Sequence, residues 1–588
     1  MYDSCSCLRP AAVPRPAARL IAWLRWRLLL WLGLLGGTTP ALAQTPAWQL
    51  AVGTTSATPP AATATIITIS TAVDAAGNVF VTGEFRSILM LGSTQLVSAG
   101  SLDVFVTKWS TAARAWAWAT RGGGTGDDSG HGIAVSGSNV YVTGNFRSPT
   151  AAFAGTTLTN VGLDNVFVAK YTDLGSSVAD GWATRAGGSF EDIGEDLAVS
   201  GPNVYVTGLL NSPAGGTFAG TTLIPVGGAD VFVAKYVDAG SSFSNGWALR
   251  AGGTGKDQGL CITVNNSNVY ATGSFESALG TFAGTTLTSA GSADIFVAKY
   301  ADTGSSFTNG WALRAGGTGY DFSRALAVSG SNVYLAGAFR NTATFGPTSL
   351  TSAGGDDVCV AKYTDLGSSA LPIWAIRDGG SGNEEAQGLA VSGSGVYVTG
   401  GFERTPSFGS TTLASKGFDD IFGAGYTDTG PSGAATWATS AGGVDDEGGI
   451  DIAVRGSTLS VVGYLYSAQV SFAPLTLANP LALNFFLAQL PTAIPTPIRA
   501  MGATSTTLAL WPNPVSAGTG VRLQAAVSGP ASVEVRDALG RVVRPAQALA
   551  VAAGQATGLV PTAGLAPGLY VLHLVTDPVG LSQRLLVK

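Results

Sequence analysis

The chain has 588 residues, of which 12% are charged and 46% are apolar, and its formal net charge at pH 7 is −6. These values exclude a highly charged disordered polypeptide, and the absence of a basic run after the N-terminus gives no support to nucleic-acid binding. The chain has 81 glycines, and Val, Ala, Thr, Phe and Tyr recur at strand-like spacing, which favours an all-β protein.

The N-terminal segment, residues 1–43, has the three parts of a secretory signal peptide. Arginines precede an apolar run from Leu28 to Leu35, and Ala41-Leu-Ala43 offers the small residues that signal peptidase accepts. The apolar run is shorter than the ~20 residues that a membrane-spanning helix needs. We therefore expect export, a mature chain that begins near Gln44, and no stable transmembrane segment after cleavage.

Tryptophans followed by glycines recur about every 65 residues, and a fixed period of this size indicates one architectural unit copied many times. The seven copies are Trp48, Trp118, Trp182, Trp247, Trp311, Trp374 and Trp437. In the second interval we predict strands at Gly132–Ser136, Val140–Phe146, Val166–Tyr171 and Trp182–Arg185, with a longer loop around Phe153–Leu158. Four short antiparallel strands in each of seven units predict a seven-bladed β-propeller over residues 44–490, and an open β-solenoid is the alternative.

The two ends of the repeat region complement each other. The chain enters with the tryptophan strand at Trp48 and lacks the three strands that should precede it, and it leaves with three strands near 448–454, 459–465 and 484–490. We expect the N-terminal strand to complete the last four-stranded blade and close the ring, which leaves no free sheet edge.

The repeated segments Val-Tyr-Val-Thr-Gly-x-Phe, Asp-Val-Phe-Val-Ala-Lys-Tyr and Trp-Ala-x-Arg-Ala-Gly-Gly span residues 48–490. They resemble the SBBP-type β-propeller repeats of exported bacterial proteins. The resemblance implies the fold and export, and it implies no particular activity. The first repeat departs from the pattern, because Trp48 is followed by Gln-Leu-Ala.

The chain beyond the repeats changes composition. Residues 491–506 read as a stiff Pro/Thr-rich linker, and residues 507–588 carry short alternating strands that predict a small C-terminal β-sandwich. This segment resembles the C-terminal sorting domain of cargo of the type IX secretion system, and the alternative is an accessory sandwich that binds a ligand. The residues that carry the resemblance are Pro512, Asn513, Pro514, Asp537, Gly540, Arg541, Gly568, Tyr570 and Lys588. The resemblance implies contact with the type IX machinery and a secreted or cell-surface location in a Gram-negative bacterium.

Two sets of acidic residues recur in the repeats. The first follows the glycines: Asp128, Asp192, Asp257, Asp321, Glu385 and Asp446. The second opens the third strand: Asp103, Asp230, Asp294, Asp357 and Asp420, with Asp164 displaced by one residue and Asn484 in the last copy. We interpret both sets as caps of loop amides, with calcium binding as an alternative and no other cofactor expected.

Basic residues also recur, at Arg121, Arg185, Arg250, Arg314 and Arg377 and at Lys108, Lys170, Lys235, Lys299 and Lys362. Charges in a packed blade need partners, so we expect the acidic sets to supply ion pairs between blades. An anion-binding ring is the alternative.

The loops after the glycines differ between repeats, and together they would surround one mouth of the ring with aromatic and polar groups. The candidate ligand-binding residues are Asp127, His131, Phe190, Glu191, Lys256, Gln258, Tyr320, Phe322, Arg324, Asn383, Glu384, Asp445 and Glu447. Such a mouth suits a glycan, a peptide or a surface protein. Ordinary sequence drift in solvated loops would produce the same variation.

Catalysis has little support in the sequence. Only two histidines occur, His131 and His573, so any Ser/His/Asp or Cys/His site in the repeats would depend on His131 alone. No Cys-x-x-Cys spacing indicates zinc. We expect a non-catalytic binding or scaffolding protein without catalytic or metal residues, and the alternative is an extracellular polysaccharide hydrolase or lyase with acidic residues at the propeller mouth.

Overall fold

A computed structural model describes residues 45–54, 65–479, 483–492, 508–526, 530–537, 541–552, 555–576 and 581–588. The predicted signal peptide 1–43, most of the linker 491–506 and Gly540 lie outside the described residues. Within these ranges every regular element is a β-strand, which confirms the all-β prediction, and no helix there could cross a bilayer. The chain divides into two compact units, Met1–Pro495 and Thr496–Lys588.

Among the described residues of the first unit, antiparallel strands form sheets of four, six and eight strands and two separate hairpins, and a group of four strands recurs in these sheets. We call these groups repeat units 1 to 7. Their first strands are Thr65–Val73, Asp128–Ser136, Asp192–Ser200, Asp257–Asn265, Phe322–Ser329, Glu384–Ser392 and Glu447–Arg455. Their second strands are Val79–Leu91, Asn139–Phe146, Asn203–Leu210, Asn268–Phe275, Asn332–Phe345, Gly395–Phe402 and Thr458–Leu465.

The third and fourth strands complete each unit, with the tryptophan strand at its edge. The third strands are Thr94–Ser110, Asn165–Asp173, Asp230–Asp238, Asp294–Asp302, Thr348–Asp365, Asp420–Asp428 and Asn484–Pro491. The fourth strands are Ala115–Gly124, Val178–Gly188, Phe243–Gly253, Phe307–Gly317, Ala370–Asp378, Gly433–Ala441 and, in unit 7, Leu50–Gly53. In unit 7 the fourth strand pairs antiparallel with the third, with Leu50 opposite Gln489 and Gly53 opposite Phe486.

The hydrophobic core of the repeats lies between consecutive units. One cluster joins Trp118 of unit 1 to Phe167 of unit 2, and others join each unit to the next as far as units 6 and 7. A further cluster joins Leu487 of unit 7 to Val81 of unit 1. Because each sheet is covered on both faces, its strands are nearly continuous apolar runs, and each fully buried aromatic contributes about 2–3 kcal/mol.

The loop predicted around Phe153–Leu158 is instead a hairpin, and this part of the sequence interpretation was wrong. Thr150–Phe153 and Thr156–Thr159 pair with each other, and Ala152 pairs with Gly123 of the preceding unit. Similar hairpins are Gly216–Phe218 with Thr221–Leu223, Leu279–Phe282 with Thr285–Thr288, Ser407–Phe408 with Thr411–Thr412, and Gln469–Phe472 with Leu475–Ala478. In units 1 and 5 the second and third strands themselves extend into this hairpin.

Every first strand contains a β-bulge. In unit 3 the register shifts between Gly194 and Asp196, so Glu195 has no partner in the second strand. The glycine of Val-Tyr-Val-Thr-Gly makes room for this bend, because a Cβ at Gly208 would lie 2.0 Å from the carbonyl oxygen of Ile193. An extra residue turns its side chain away from the regular alternation of the strand.

The second unit is a β-sandwich. One sheet contains Ala509–Trp511, Gly520–Ala526, Gln555–Pro561 and Ala550–Ala552, in that order. The other contains Val542–Ala548, Ala531–Asp537, Gly568–Thr576 and Leu581–Val587, in that order. One apolar cluster, which includes Val521 and Leu523 from the first sheet and Leu572 and Leu574 from the second, fills the space between the sheets.

Candidate ligand-binding cavities

The recurring lysines form ion pairs between units, but not with the acids that the sequence suggested. Lys235 of unit 3 lies 2.6 Å from Asp302, at the end of the third strand of unit 4. The same carboxylate accepts hydrogen bonds from the Trp247 indole at 2.9 Å and the Tyr205 hydroxyl at 2.6 Å. The equivalent pairs are Lys108–Asp173, Lys170–Asp238, Lys299–Asp365 and Lys362–Asp428. These lysines are therefore used in joining units.

The recurring arginines bind the second acidic set within their own unit, and not between units as predicted. Arg250 lies 3.0 Å from Asp230, which also accepts the amide of Val226 at 2.6 Å. Burial nevertheless raises the pKa of Asp230 to about 6, since desolvation outweighs both partners. The equivalent pairs are Arg121–Asp103, Arg314–Asp294 and Arg377–Asp357.

In unit 2 the acid is displaced by one residue, as the sequence indicates. Asn165 has the register position of Asp230, and its side-chain oxygen accepts a hydrogen bond from Arg185 at 3.1 Å. Asp164 instead pairs with Arg147 at 2.6 Å.

The first acidic set caps loop amides, as predicted. Asp192 accepts the amides of Gly188 at 2.7 Å and Asn211 at 2.9 Å and the hydroxyl of Ser212 at 2.6 Å. The equivalent carboxylates are Asp128, Asp257, Asp321, Glu384 and Glu447, each of which accepts the amide four residues earlier. The described residues contain no group of three or more His, Cys, Asp or Glu side chains arranged to hold a metal.

Two assignments in units 6 and 7 were therefore wrong by one residue. Glu384 and Glu447 were placed among the variable mouth residues, yet both side chains are fully buried caps. Glu385 and Asp446 were placed in the capping set, yet neither caps its loop. Glu384 and Glu447 lie ten residues after Trp374 and Trp437, the same spacing as from Trp182 to Asp192. The spacing therefore identifies the cap, and the adjacent acids Glu385 and Asp446 were assigned in its place.

The seven bulge residues surround one central cavity of about 270 Å³. We call them the bulge ring: Ile69, His131, Glu195, Leu260, Arg324, Gln387 and Ile450. Two of them, His131 and Arg324, were predicted as ligand-binding residues. The other five were missed because their chemical types differ from unit to unit, although the small residue before each bulge and the glycine opposite it are signals in the sequence.

His131 and Glu195 form one polar part of the bulge ring. Nδ1 of His131 lies 3.6 Å from a carboxylate oxygen of Glu195, and Gln258 donates a hydrogen bond of 2.6 Å to the same carboxylate. Burial alone would lower the pKa of His131, but Glu195 and Glu84 raise it above the ordinary value. Glu195 is thus held by two partners from neighbouring units.

A second cavity of about 450 Å³ is lined by residues of units 5, 6, 7 and 1, and we call it the rim cavity. Its lining includes Arg324 and Ile450 from the bulge ring, the acids Asp419 and Asp446, and the rings of Tyr464 and Tyr466. The two tyrosine rings lie edge to face at 5.9 Å, and Tyr466 is 44% exposed.

The acids near the rim cavity repel one another. Burial first, then the charges of Glu403, Asp446 and Glu385, raise the pKa of Asp419 to about 6. Glu385 and Glu403 line an adjoining cavity of about 240 Å³ together with Asp419 and Tyr464. Five carboxylates therefore line the two cavities, those of Asp356, Glu385, Glu403, Asp419 and Asp446, and the one of Asp356 is paired with Arg340.

The other predicted ligand-binding residues lie apart from the rim cavity. Asn383 donates to Glu403 at 2.9 Å, and Asp127 lies 3.9 Å from Arg86. Phe322 is buried beneath Arg324, and the exposed ring of Tyr320 lies 5.9 Å from it. The remaining positions are Phe190, Glu191, Lys256 and Asp445, in the loops that precede their first strands.

The predicted sorting residues connect strands of the C-terminal sandwich. The side chain of Asn513 accepts the amide of Leu586 at 3.0 Å and donates to the carbonyl of Arg584 at 2.7 Å. Asp537 binds the Arg541 side chain at 2.7 Å, and the Tyr570 hydroxyl donates to the carbonyl of Ala566 at 2.9 Å. Val515, just after Pro512 and Pro514, exchanges backbone hydrogen bonds with Lys588 and Leu586, while Gly568 begins the strand opposite Val587.

Residues 509–588 match the family model of the secretion system C-terminal sorting domain. The motif resemblance noted in the sequence is therefore confirmed for this segment. A sorting domain of this kind implies handling by the type IX secretion machinery and a secreted or cell-surface location.

Similarity elsewhere in the chain is limited. An uncharacterized WD repeat-containing protein of Acanthamoeba polyphaga mimivirus is 29% identical over 187 residues, which cover 28% of this chain and 13% of that protein. A Trypanosoma rangeli sialidase in complex with sialic acid aligns over 92% of this chain and 87% of its own, with 9% identity and a TM-score of 0.30. The same enzyme with a difluorosialic acid gives 8% identity and a TM-score of 0.28, over 88% and 83% of the two chains. Scores this low carry no argument about fold or activity.

Proposed function

We propose that the protein is an exported seven-bladed β-propeller, closed by its N-terminal strand, that binds a ligand at the rim cavity and performs no catalysis. The pairing of Leu50–Gly53 with unit 7 and the apolar cluster between units 7 and 1 support a closed ring. The sorting domain supports delivery to the cell surface or the medium by type IX secretion. The ligand would be a glycan, a peptide or a surface protein.

The rim cavity is the proposed ligand-binding site. Its tyrosines are half-exposed and exposed rather than packed in the core, and its volume of about 450 Å³ lies in the range of small-molecule sites. The recurring charges of the scaffold are already used in ion pairs and caps. The residues left for recognition are therefore those that the units do not share.

Binding is tested with the full secreted protein on glycan and peptide arrays. We expect a specific ligand whose affinity falls at least about tenfold on Tyr466→Ala, because stacking on an exposed ring is lost. Phe190→Ala is the matched control, since Phe190 is 42% exposed but lies in unit 3, away from the rim cavity. Equal loss in both variants, or no bound ligand on either array, would contradict the proposal.

A polysaccharide hydrolase or lyase is the second candidate, and the convergence of carboxylates favours it. A carboxyl group with a pKa of about 6, as at Asp419, is suited to donate a proton, with Glu385 or Glu403 nearby as a base. Release of reducing ends or unsaturated sugars from polysaccharides, abolished by Asp419→Asn, would establish this activity. Cleavage that persists in Asp419→Asn would exclude this assignment.

A further inference from the structure

Arg324 is a cation without an anionic partner. It is the bulge residue of unit 5, its side chain is exposed, and among the described residues no carboxylate lies within 4 Å of it and no atom accepts a hydrogen bond from it. Its guanidinium carbon lies 5.4 Å from the centroid of the Phe322 ring. A guanidinium in this state retains all its donors for an anion.

Two acids whose charges interact with that of Arg324, Glu195 and Glu385, already have other hydrogen-bond partners. Glu195 is held by His131 and Gln258, and Glu385 accepts a hydrogen bond of 3.0 Å from Gln387. Burial raises the pKa of each carboxyl group and the charge of Arg324 opposes it. The pKa of Glu195 is lowered overall, chiefly by His131, whereas that of Glu385 is raised, and neither carboxylate lies within 4 Å of Arg324. Arg324 is therefore held near acids without being neutralised by direct contact.

Asp419 presents the opposite charge in the same cavity. Among the described residues, the carboxylate of Asp419 accepts no hydrogen bond, and the carboxylate of Asp446 accepts one only from the Asp419 amide, at 3.4 Å. The nearby amine of Lys416 points elsewhere and donates to the carbonyl of Gly442. A cationic group placed here would relieve the repulsion among the acids, and the tyrosine rings would add a cation–π contribution.

We propose that the rim cavity binds a zwitterion, a ligand that carries a carboxylate for Arg324 and an ammonium group for Asp419 and Asp446. Arg324 and the two aspartates line one cavity without forming ion pairs with each other, so a ligand in the cavity could contact both charges. The walls of Ile450, Tyr464 and Tyr466 suit an apolar stem. A simple anion would meet the acids, and a simple cation would meet Arg324, whereas a zwitterion satisfies both charges. This inference rests on the proposed binding function of the same cavity.

The experiment titrates the full-length secreted protein with ω-amino acids of increasing length, from 4-aminobutyrate to 8-aminooctanoate, by calorimetry. Hexanoate and hexylamine are the single-charge counterparts of 6-aminohexanoate. We expect one chain length to bind at least about tenfold more tightly than either counterpart, because two contacts on one molecule reinforce each other. A Lys-Glu dipeptide is titrated in the same series. Tighter binding of the dipeptide than of every ω-amino acid would indicate a peptide ligand, and weaker binding would indicate a free amino acid.

Variants assign the two charges. Arg324→Ala should abolish the advantage of 6-aminohexanoate over hexylamine, and Asp419→Asn should abolish its advantage over hexanoate. Arg147→Ala, which removes an arginine already paired with Asp164 outside the cavity, should leave both advantages intact. Circular dichroism and thermal midpoints establish that each variant folds.

Two results would overturn the zwitterion inference. The first is equal affinity of zwitterions and single ions at every length, including no binding by any of them. The second is retention of the advantage in Arg324→Ala. An array ligand that depends on Tyr466 but not on Arg324 or Asp419 would preserve the proposed binding function while refuting the zwitterion.

Discussion

Single aspartates hold the repeat units together. Asp302 receives hydrogen bonds from an amine, an indole and a phenol of the preceding unit and the amide of Gly304 from its own turn. Burial alone would raise its pKa, but the charge-assisted bonds from Lys235 and its other partners lower it instead. A buried carboxylate is stable here because several donors serve it at once.

Replacing Asp302 by alanine should destabilise the repeats strongly. The ion pair is buried, with 3% and 5% of the two side chains exposed, so removal of one partner leaves Lys235 uncompensated and costs about 3–5 kcal/mol. The midpoint of urea unfolding, followed by tryptophan fluorescence, measures this loss. Arg340→Ala is the control, because its pair with Asp356 is half-exposed and is worth about 0–1 kcal/mol. Equal effects would refute the role assigned to Asp302.

Asp428 provides a test by pH. Burial opposes its charge, but hydrogen bonds from Lys362 and Tyr334 lower its pKa to about 2, against an ordinary value of about 4. The folded state therefore holds fewer protons than the unfolded state in this range, and the stabilisation is complete above pH 4 and is lost as the pH falls toward 2. Asp428→Asn should flatten the dependence of unfolding free energy on pH between 2 and 4. An unchanged slope would contradict the assignment.

Some residue roles could be read from the sequence and others could not. The capping role of Asp192 followed from its recurrence beside glycines, and the edge position of Trp182 followed from the order of strand signals. The partner of Lys235 did not, because Asp302 looks like an ordinary turn residue and the two meet only when units stack. The position of His131 in the bulge ring depends on one extra residue in a strand, which does not alter the apolar pattern around it.

At the scale of the strand, unit 7 differs from the others. Gly425 of unit 6 and Gln489 of unit 7 have the register position of the pairing lysines. Thr492 occupies in unit 7 the position that Asp428 has in unit 6, because each donates its backbone amide to the carbonyl of a serine in the turn between the first two strands. Among the described residues, unit 7 therefore lacks an inter-unit ion pair on both sides. Apolar clusters and hydrogen bonds connect it to its neighbours, such as those from the Thr71 amide to Asp451 and from Arg455 to the carbonyl of Ala75.

Local opening should therefore begin at unit 7. We expect the amides of Leu50–Gly53 and Asn484–Pro491 to exchange with deuterium sooner than those of Asp230–Asp238, which belong to a unit with ion pairs on both sides. Mass spectrometry of peptic peptides measures the difference. Protection of unit 7 equal to that of unit 3 would show that the missing ion pairs do not matter locally.

At the scale of the molecule, the C-terminal sorting domain and the repeats belong to two separate compact units. Deletion of residues 508–588 should leave the repeats folded, because their core is complete without the sandwich, and should retain the protein in the periplasm. Fractionation of cells with an antibody to the repeats measures its location, and the thermal midpoint of the purified fragment measures its folding. Surface display at the level of the full chain would contradict the sorting role.

The strand at Leu50–Gly53 has a consequence for the order in which the protein folds. It is made first, yet its partner Asn484–Pro491 lies more than four hundred residues later, so the contact carries a large loop-closure entropy and a high contact order. Units 1 to 6 can each assemble from neighbouring chain, whereas unit 7 must wait for the whole repeat region. Refolding should therefore end with a slow step in which the strand Leu50–Gly53 pairs with the strand Asn484–Pro491.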